Sequence, residues 1–332
     1  MNNLMYPQDD AIIDTHTQIQ NTFINSIREN GINAALDWLL PIKCNEELSV
    51  PIAVNFVWEE QNAPYVFEIS EENDFFNAYV LTVNENKVTV SNFKVGQKYY
   101  WRVNGGEIHN FETVDNSYRF IGIDGALNVR DIGGINIKQG LIFRGSDIES
   151  VYPISQKGKE IFTEQLKIKT EIELRIEGDN YDRESVAGKG VQYKYFPYRP
   201  YLEIFEQQHK DRLALMMDFF ADENNYPMYI HCLGGADRTG MIAMYFRAIA
   251  GECDDDIFID YELTSLSSYA YGLAEGVSAL GFRKRTASYL VKALNELNKY
   301  PGETLSERLV SFILDCGVKP ETIEKIRRII LK

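Results

Sequence analysis

Residues Tyr229 to Met241 read YIHCLGGADRTGM, and this stretch decides how the C-terminal part of the chain is interpreted. Apolar residues lead to a His-Cys pair, small residues follow, and Asp-Arg-Thr-Gly opens another apolar run. The pattern predicts a strand that ends near Cys232, a tight loop, and a helix that starts near Arg238. A Cys and an Arg at this spacing also occur by chance, as a buried strand residue and a surface cation. The conjunction of strand, loop and helix signals favours a functional loop.

The predicted loop supplies what a thiol-based phosphate-ester hydrolase requires. Small residues let successive backbone N–H groups turn inward and form a nest for an anion. The N-terminus of the following helix adds its positive dipole at the same point, and Arg238 offers a planar fork for two phosphate oxygens. The same groups stabilise the Cys232 thiolate at neutral pH. The predicted phosphate-binding residues are Leu233, Gly234, Gly235, Ala236, Asp237 and Arg238.

Cys232 is the predicted nucleophile, which attacks phosphorus, displaces the alcohol or phenol and leaves a phosphocysteine for water to hydrolyse. We expect His231 to support the loop and the thiol rather than act as a base, and the Thr239 hydroxyl to donate a hydrogen bond to the thiolate. Cys253 and Cys316 are expected to be packing residues. No metal or other cofactor is predicted, because the cysteines and histidines are scattered along the chain.

The sequence HC-x5-R followed by Thr-Gly is the signature of the cysteine-dependent protein tyrosine phosphatase superfamily, and HCxxGxDRTG resembles its bacterial and fungal tyrosine/dual-specificity branch. Three further pieces resemble that branch in the same order: NVRDIGG from Asn128, LIFRGSDI, and IELR ending at Arg175. The tail of two helices from Leu305 also resembles it. The resemblance covers residues 117–332 and implies an α/β phosphatase domain with a central sheet flanked by helices.

Two departures from the branch bear on substrate and mechanism. The branch usually has lysine where this chain has Ala236, and that lysine is associated with binding extra phosphates, so its loss favours a singly phosphorylated substrate. Related enzymes often place an aspartate after an upstream Phe-Pro pair, but here that position holds Tyr198. Asp237 is therefore the first candidate for the general acid that protonates the leaving group, with Asp179 and Asp182 in reserve.

Several polar residues around the loop have structural interpretations. Asp237 has an alternative role, which is to brace Arg130 or the loop backbone. Tyr198 and Arg199 are expected to line the mouth of the pocket. For four charged residues we favour salt bridges that support the loop over substrate contacts: Arg130, Asp131, Arg144 and Arg175.

The N-terminal part of the chain carries two other patterns. Residues 1–44 are predicted to be a helical segment, in which Asp14 or Thr15 caps a helix that stops at Gly31. Residues 45–116 alternate with period two between Asn- and Gly-bearing turns, which predicts an antiparallel β-sandwich. The stretch VGQKYYWRV resembles a fibronectin type III module. We expect this domain to position the chain or to recruit a protein partner, because it holds no obvious catalytic set.

Composition limits the classes of partner. The 332 residues include 34 Lys and Arg against 49 Asp and Glu, a formal net charge of −15, which argues against a nucleic-acid binder and against attachment to anionic lipid by charge alone. No apolar run is long enough to predict insertion into a membrane. The N-terminal sequence shows no signal peptide, so we expect a cytoplasmic protein, or a secreted or surface-attached one if a leader has been removed.

The sequence therefore predicts a phosphatase that acts on phosphotyrosine in proteins or peptides, with dual specificity left open. One alternative changes only the substrate, to a phosphoinositide or an inositol phosphate. The other is a catalytically weak adaptor that binds phosphate groups, and it is motivated by the missing upstream aspartate.

Overall fold

The computed structural model describes residues 5–31, 47–176, 183–268 and 289–332. The reserve acids Asp179 and Asp182 lie outside the described residues. So does the stretch INAALDWLL, for which the sequence predicts a second short helix ended by Pro41. No helix of the described ranges combines the length and the hydrophobicity that a bilayer span requires.

Two sheets enclose one aromatic core in the N-terminal part of the chain. The alternating patterns place Phe56, Phe67 and Trp101 inside this core, where none of the three side chains is exposed. The five-stranded sheet has the order β1-β7-β6-β3-β4, and β2 pairs with β5 in the smaller sheet. The strands are β1 (Ala11–Ile13), β2 (Val54–Val57), β3 (Tyr65–Ser70), β4 (Tyr79–Val83), β5 (Lys87–Val90), β6 (Lys98–Val103) and β7 (His109–Thr113).

The first strand departs from the predicted organisation. β1 precedes residue 45, yet it joins the five-stranded sheet by pairing with β7. That pairing is parallel, whereas the other pairs in these two sheets are antiparallel. The prediction of a purely antiparallel domain that starts at residue 45 is therefore wrong in these respects. The resemblance to fibronectin type III remains a prediction.

The first helix, α1 (Gln18–Asn30), has a different cap from the predicted one. Thr17 accepts a hydrogen bond from the backbone N–H of Gln20, and the Gln20 side chain accepts from the N–H of Thr17, which completes a capping box. Asp14 instead accepts from the backbone N–H of His16, so neither Asp14 nor Thr15 caps the helix. The end at Gly31 is confirmed, with φ at +73°.

Helix α1 packs on the C-terminal domain. Its residues Phe23, Ile24 and Ile27 share one buried cluster with residues of the C-terminal domain. These are Tyr118, Phe120, Ile259, Leu263 and Leu266. The described part of this segment, residues 5–31, is therefore not one helical unit, because β1 joins the N-terminal sheet while α1 packs on the C-terminal domain.

The C-terminal domain contains a six-stranded sheet with the order β12-β11-β13-β10-β9-β8. β13 lies between β10 and β11 and is parallel to both. The chain leaves β13 immediately before Cys232, at the carboxyl ends of the parallel strands of this mixed sheet, where α/β proteins commonly bind ligands. The strands are β8 (Arg119–Phe120), β9 (Arg130–Asp131), β10 (Ile142–Gly145), β11 (Thr170–Glu173), β12 (Gln192–Tyr195) and β13 (Met228–His231).

The helix after the motif forms the centre of the domain. Every residue from Thr239 to Ile249 is buried, because the sheet covers one side of this helix and neighbouring helices cover the others. The predicted pair of terminal helices is present, with Pro320 at the start of the last helix and Ile323, Ile326 and Ile330 buried. In the described residues, the α-helices that follow α1 are α2 (Gln156–Glu160), α3 (Gln207–Phe220), α4 (Asp237–Ile249), α5 (Asp254–Glu262), α6 (Tyr289–Leu297), α7 (Leu305–Asp315) and α8 (Pro320–Ile330).

The docking of α1 predicts a stability effect. Phe23→Ala removes a fully buried ring between α1 and the C-terminal domain and should lower the free energy of unfolding by about 3–5 kcal/mol. Asn25→Ala, on the exposed side of the same helix, should change it by less than about 0.5 kcal/mol. Urea unfolding of the full chain measures both, and equal effects would show that α1 is not packed in this way.

Candidate active site

The loop that holds Cys232 connects the end of β13 to the start of α4. The Cys232 side chain is almost buried, with 5% of its surface exposed. The next residues turn sharply enough that α4 begins at Asp237, so residues 233–236 form the whole loop between Cys232 and this helix. The predicted order of strand, tight loop and helix is therefore confirmed.

Three carbonyl groups of the loop are bound from outside it. The carbonyls of residues 233, 234 and 235 accept hydrogen bonds from Asp147 N at 3.0 Å, Asn128 Nδ2 at 2.9 Å and Arg144 Nη2 at 2.8 Å, respectively. In a trans peptide the C=O and the following N–H point in opposite directions. The N–H groups of residues 234–236 therefore face the inner side of the loop, which is the geometry of an anion nest.

Gly235 can only be glycine in this loop. Its φ is +63°, a conformation that other residues rarely adopt. A Cβ atom there would also lie 2.3 Å from the carbonyl carbon of Gly145 in β10. The loop thus packs directly against the backbone of the neighbouring strand.

A buried ionic cluster holds the outer side of the loop. Asp260, in α5, lies 3.0 Å from Arg130, 2.5 Å from Arg144 and 3.5 Å from Arg247, and all four side chains are at most 1% exposed. Burial alone would raise the pKa of Asp260, but the charges of Arg144, Arg130 and Arg247 hold it well below its usual range. Arg144 uses the same guanidinium to bind the loop.

The predicted structural salt bridges exist, but their partners are spread along the chain. Arg130 and Arg144 share Asp260, and Asp131 pairs with Arg119 at 2.9 Å. Arg175 lies 2.6 Å from Glu173 and 3.1 Å from Asp147. Asp237 is not among the hydrogen-bond or ion-pair partners of Arg130, so the alternative that Asp237 braces this arginine is wrong.

His231 precedes the sulfur and is held by acidic residues. Its Nε2 is 2.9 Å from Glu171 Oε1, and its Nδ1 is 3.9 Å from Glu173. Burial lowers the pKa of His231, but the charge of Glu173 and the hydrogen bond to Glu171 outweigh it and raise the pKa to about 9. The imidazole is therefore protonated at neutral pH and places a positive charge beside Cys232, in agreement with a supporting role.

The same region contains a group of possible metal ligands: Asp147, Glu173 and His231, with ligand atoms within 4.8 Å of one another. These residues do not fit a cation, because Arg175 already pairs with both carboxylates and the protonated imidazole lies beside them. The cluster instead positions the strand ends around the loop.

Several predicted positions differ in the structure. Thr239 Oγ1 is buried and has no hydrogen-bond partner among the described residues, so the predicted bond to the Cys232 sulfur is not formed. Tyr198 does not line a pocket mouth: it is fully buried, with its hydroxyl 2.9 Å from that of Tyr245. Arg199 is exposed. Cys253 is also exposed, although it was expected to pack in the interior, whereas Cys316 is buried.

Two functional neighbours carry no signal in the sequence. Tyr201 donates its hydroxyl hydrogen to Asp237 Oδ1 from a short 3₁₀ segment, Tyr201–Phe205. Glu47, from the N-terminal part of the chain, accepts hydrogen bonds from Ser267 Oγ and Ser268 N at 2.9 Å and from the N–H of Asn128 at 3.3 Å. Asn128 is a loop-binding residue, so Glu47 connects the N-terminal region to the site.

A comparison with protein families gives the chemical class. A family model for the tyrosine phosphatase family matches residues 121–332. Inositol diphosphatase DSP4 of Arabidopsis thaliana is 28% identical over 162 residues, which are 47% of this chain and 75% of that protein. Among solved structures, a match was found to the core catalytic domain of the PP-IP phosphatase SIW14 from S. cerevisiae in complex with citrate. The match covers 50% of this chain and 93% of that domain's chain, at 19% identity and a TM-score of 0.31.

The contact between Gly235 and β10 predicts that Gly235→Ala loses phosphatase activity by roughly a hundredfold or more, because the loop must move by about an ångström. Gly251→Ala is the matched control, since Gly251 also has a positive φ but open space at the Cβ position. Gly235→Ala should release phosphate from the same substrate far more slowly than Gly251→Ala. Retained activity in Gly235→Ala would contradict the packing of the loop.

The raised pKa of His231 predicts a pH dependence of stability. A group whose pKa is higher in the folded state stabilises fully below its unfolded pKa of about 6.5, and this contribution is lost as the pH rises through the folded pKa of about 9. The free energy of unfolding should therefore fall by roughly 3 kcal/mol between pH 6.5 and 9 from this residue alone. Urea unfolding of Cys232→Ser, with and without His231→Gln, isolates the contribution of His231 to the free energy of unfolding. The same pH slope in both proteins would refute it.

Proposed function

The chain belongs to the tyrosine phosphatase family, and from this premise we propose that it hydrolyses phosphotyrosine in proteins or peptides through a phosphocysteine intermediate. The supporting observation is the direction of the loop amides, which face inward because residues 233–235 have their carbonyls bound outside. An inward ring of N–H groups suits three phosphate oxygens and stabilises charge that develops during transfer.

In the proposed reaction, Arg238 and the loop N–H groups bind the phosphate. Cys232 Sγ attacks phosphorus, so an S–P bond forms while the bond from phosphorus to the leaving oxygen breaks. Asp237 donates its proton to that oxygen. Water then attacks the phosphocysteine, inorganic phosphate leaves, and the thiolate returns. Asp237 accepts the proton from water in this second step, which restores the starting state.

Among the described residues, the charges next to the loop favour a single phosphate group. Ala236 occupies the position where the branch usually has lysine, and its side chain is buried. Arg130, Arg144 and Arg247 lie behind the loop at no more than 1% exposure and are already paired with Asp260. These cations support the loop from behind, and none of the three reaches a second phosphate in front of it.

One comparison favours a second candidate, hydrolysis of inositol phosphates. The relative from Arabidopsis thaliana carries the name inositol diphosphatase, and its similarity extends over 47% of this chain. A substrate with several phosphates requires additional cations on the inner side of the loop, which faces the substrate. The adaptor alternative requires only binding, so substrate turnover separates it from both candidates.

Phosphate release from a phosphotyrosine peptide and from a panel of inositol phosphates tests the proposal. Wild-type protein should act on the peptide at least tenfold more efficiently, and Cys232→Ser should lose activity while it still binds the peptide, because only the nucleophile is changed. Higher efficiency on inositol phosphates would favour the second candidate. Binding by the wild type without release would leave the adaptor role, and equal turnover by both proteins would refute the assignment of Cys232.

The role of Asp237 predicts a dependence on the leaving group. Asp237→Asn cannot donate the proton, so it should slow phosphotyrosine peptides by roughly a hundredfold or more. An activated aryl phosphate, whose leaving group needs no proton, should be slowed much less. Steady-state kinetics on the two substrates measures the difference, and equal slowing would show that Asp237 has only a structural role.

A further inference from the structure

Tyr201 has an unusual backbone conformation next to the site. It follows Pro200 and opens the 3₁₀ segment with φ at +67°. A bulky residue in the left-handed region is an outlier that costs free energy, and such residues persist where the surrounding structure requires them, often at functional sites. The conformation therefore raises the question of which contacts of the Tyr201 side chain require it.

The Tyr201 hydroxyl takes part in a directed chain of hydrogen bonds. It donates to Asp237 Oδ1, and it also lies 3.0 Å from the hydroxyl of Tyr261. A hydroxyl has one hydrogen to donate. Since Tyr201 gives its hydrogen to the carboxylate, Tyr261 must be the donor to Tyr201. The order of donation is thus Tyr261 to Tyr201 to Asp237.

The motif glycine after Thr239 makes room for this chain. The ring of Tyr261, in α5, packs against the backbone of α4 at Gly240. A Cβ atom at Gly240 would lie 2.6 Å from the Tyr261 ring, so any larger residue would push the ring away. The Tyr261 side chain is fully buried, which leaves it little freedom to turn elsewhere.

We propose that Tyr201 and Tyr261 are positioning residues for the general acid: their hydroxyl chain holds the Asp237 carboxyl group in place and stabilises the negative charge left when Asp237 gives up its proton. This inference deepens the proposed function and rests on it. It assigns a role to two tyrosines far from the motif in sequence, and it explains why Gly240 lies where it does.

The chemistry of proton transfer gives the chain its effect. While Asp237 still holds the proton that the proposed reaction needs, the bond from Tyr201 to Oδ1 is an ordinary one. As the proton moves to the leaving oxygen, the carboxyl group becomes an anion and the same bond becomes charge-assisted, which makes it stronger. An interaction that strengthens during the reaction lowers the barrier rather than merely binding substrate. Burial, with the nearby Tyr261 and Asp237, raises the pKa of Tyr201, so its hydroxyl remains a donor.

The test compares Tyr201→Phe with Tyr198→Phe in the full chain. Both substitutions remove one hydroxyl from a tyrosine pair, but the Tyr198–Tyr245 pair does not touch Asp237. Tyr201→Phe should lower kcat on a phosphotyrosine peptide by roughly ten- to a hundredfold with little change in KM, the range for loss of a hydrogen bond to a charged group. On an activated aryl phosphate it should change kcat by less than about threefold, because that leaving group needs no proton. Tyr198→Phe should show no such dependence on the leaving group.

A double-mutant cycle separates positioning from general loss of stability. In an Asp237→Asn background, Tyr201→Phe should cause no further loss on the peptide, because the acid that it supports is gone. Tyr261→Phe should act in the same direction as Tyr201→Phe but more weakly, since it is one bond further away.

The outcomes distinguish this inference from the function on which it rests. Active wild-type protein together with equal slowing of both substrates by Tyr201→Phe would refute the hydroxyl chain alone. Additive losses in the double variant would also refute it. Wild-type protein that releases no phosphate from either substrate would refute the proposed function and, with it, this role for the tyrosines.

Discussion

Three backbone carbonyls of the loop after Cys232 are bound on its outer side, and the chemistry of the site depends on that direction. A peptide group cannot turn its C=O outward without turning the next N–H inward. The donors at Asp147, Asn128 and Arg144 therefore create the anion nest, although none of them needs to touch the phosphate. Cys232 and Arg238 have their proposed roles only because this nest brings a phosphate between them.

The donors are themselves held by long-range contacts. Arg144 is fixed by Asp260, which also binds Arg130 and Arg247 in a region closed to water. Asn128 donates its backbone N–H to Glu47, which belongs to the N-terminal part of the chain. Removing one partner from such a buried network leaves an uncompensated charge or polar group. The loop is thus supported by residues from both parts of the chain, which gives the N-terminal region a structural connection to the site.

Features encoded within short stretches were predictable from the sequence, whereas contacts between distant residues were not. The strand, loop and helix around Cys232 follow one another directly, and so do the two terminal helices. Asp260 lies 130 positions from Arg130, and no periodicity indicates that they pair. Tyr198 stands next to a pattern typical of pocket residues, yet core packing against Tyr245 and His209 turned it inward. The cap of α1 moved to Thr17 because Gln20 completes a reciprocal pair of hydrogen bonds there.

The most direct test of the central claim is a crystal structure of Cys232→Ser soaked with inorganic phosphate. One phosphate should bind in the loop, with the backbone N–H groups of residues 234–236 at about 2.7–3.1 Å from its oxygens. The Arg238 guanidinium should bind two of the phosphate oxygens. The carbonyls of residues 233–235 should keep their outer partners. A loop whose amides turn away from the phosphate, or a phosphate bound elsewhere while the loop remains empty, would contradict the account.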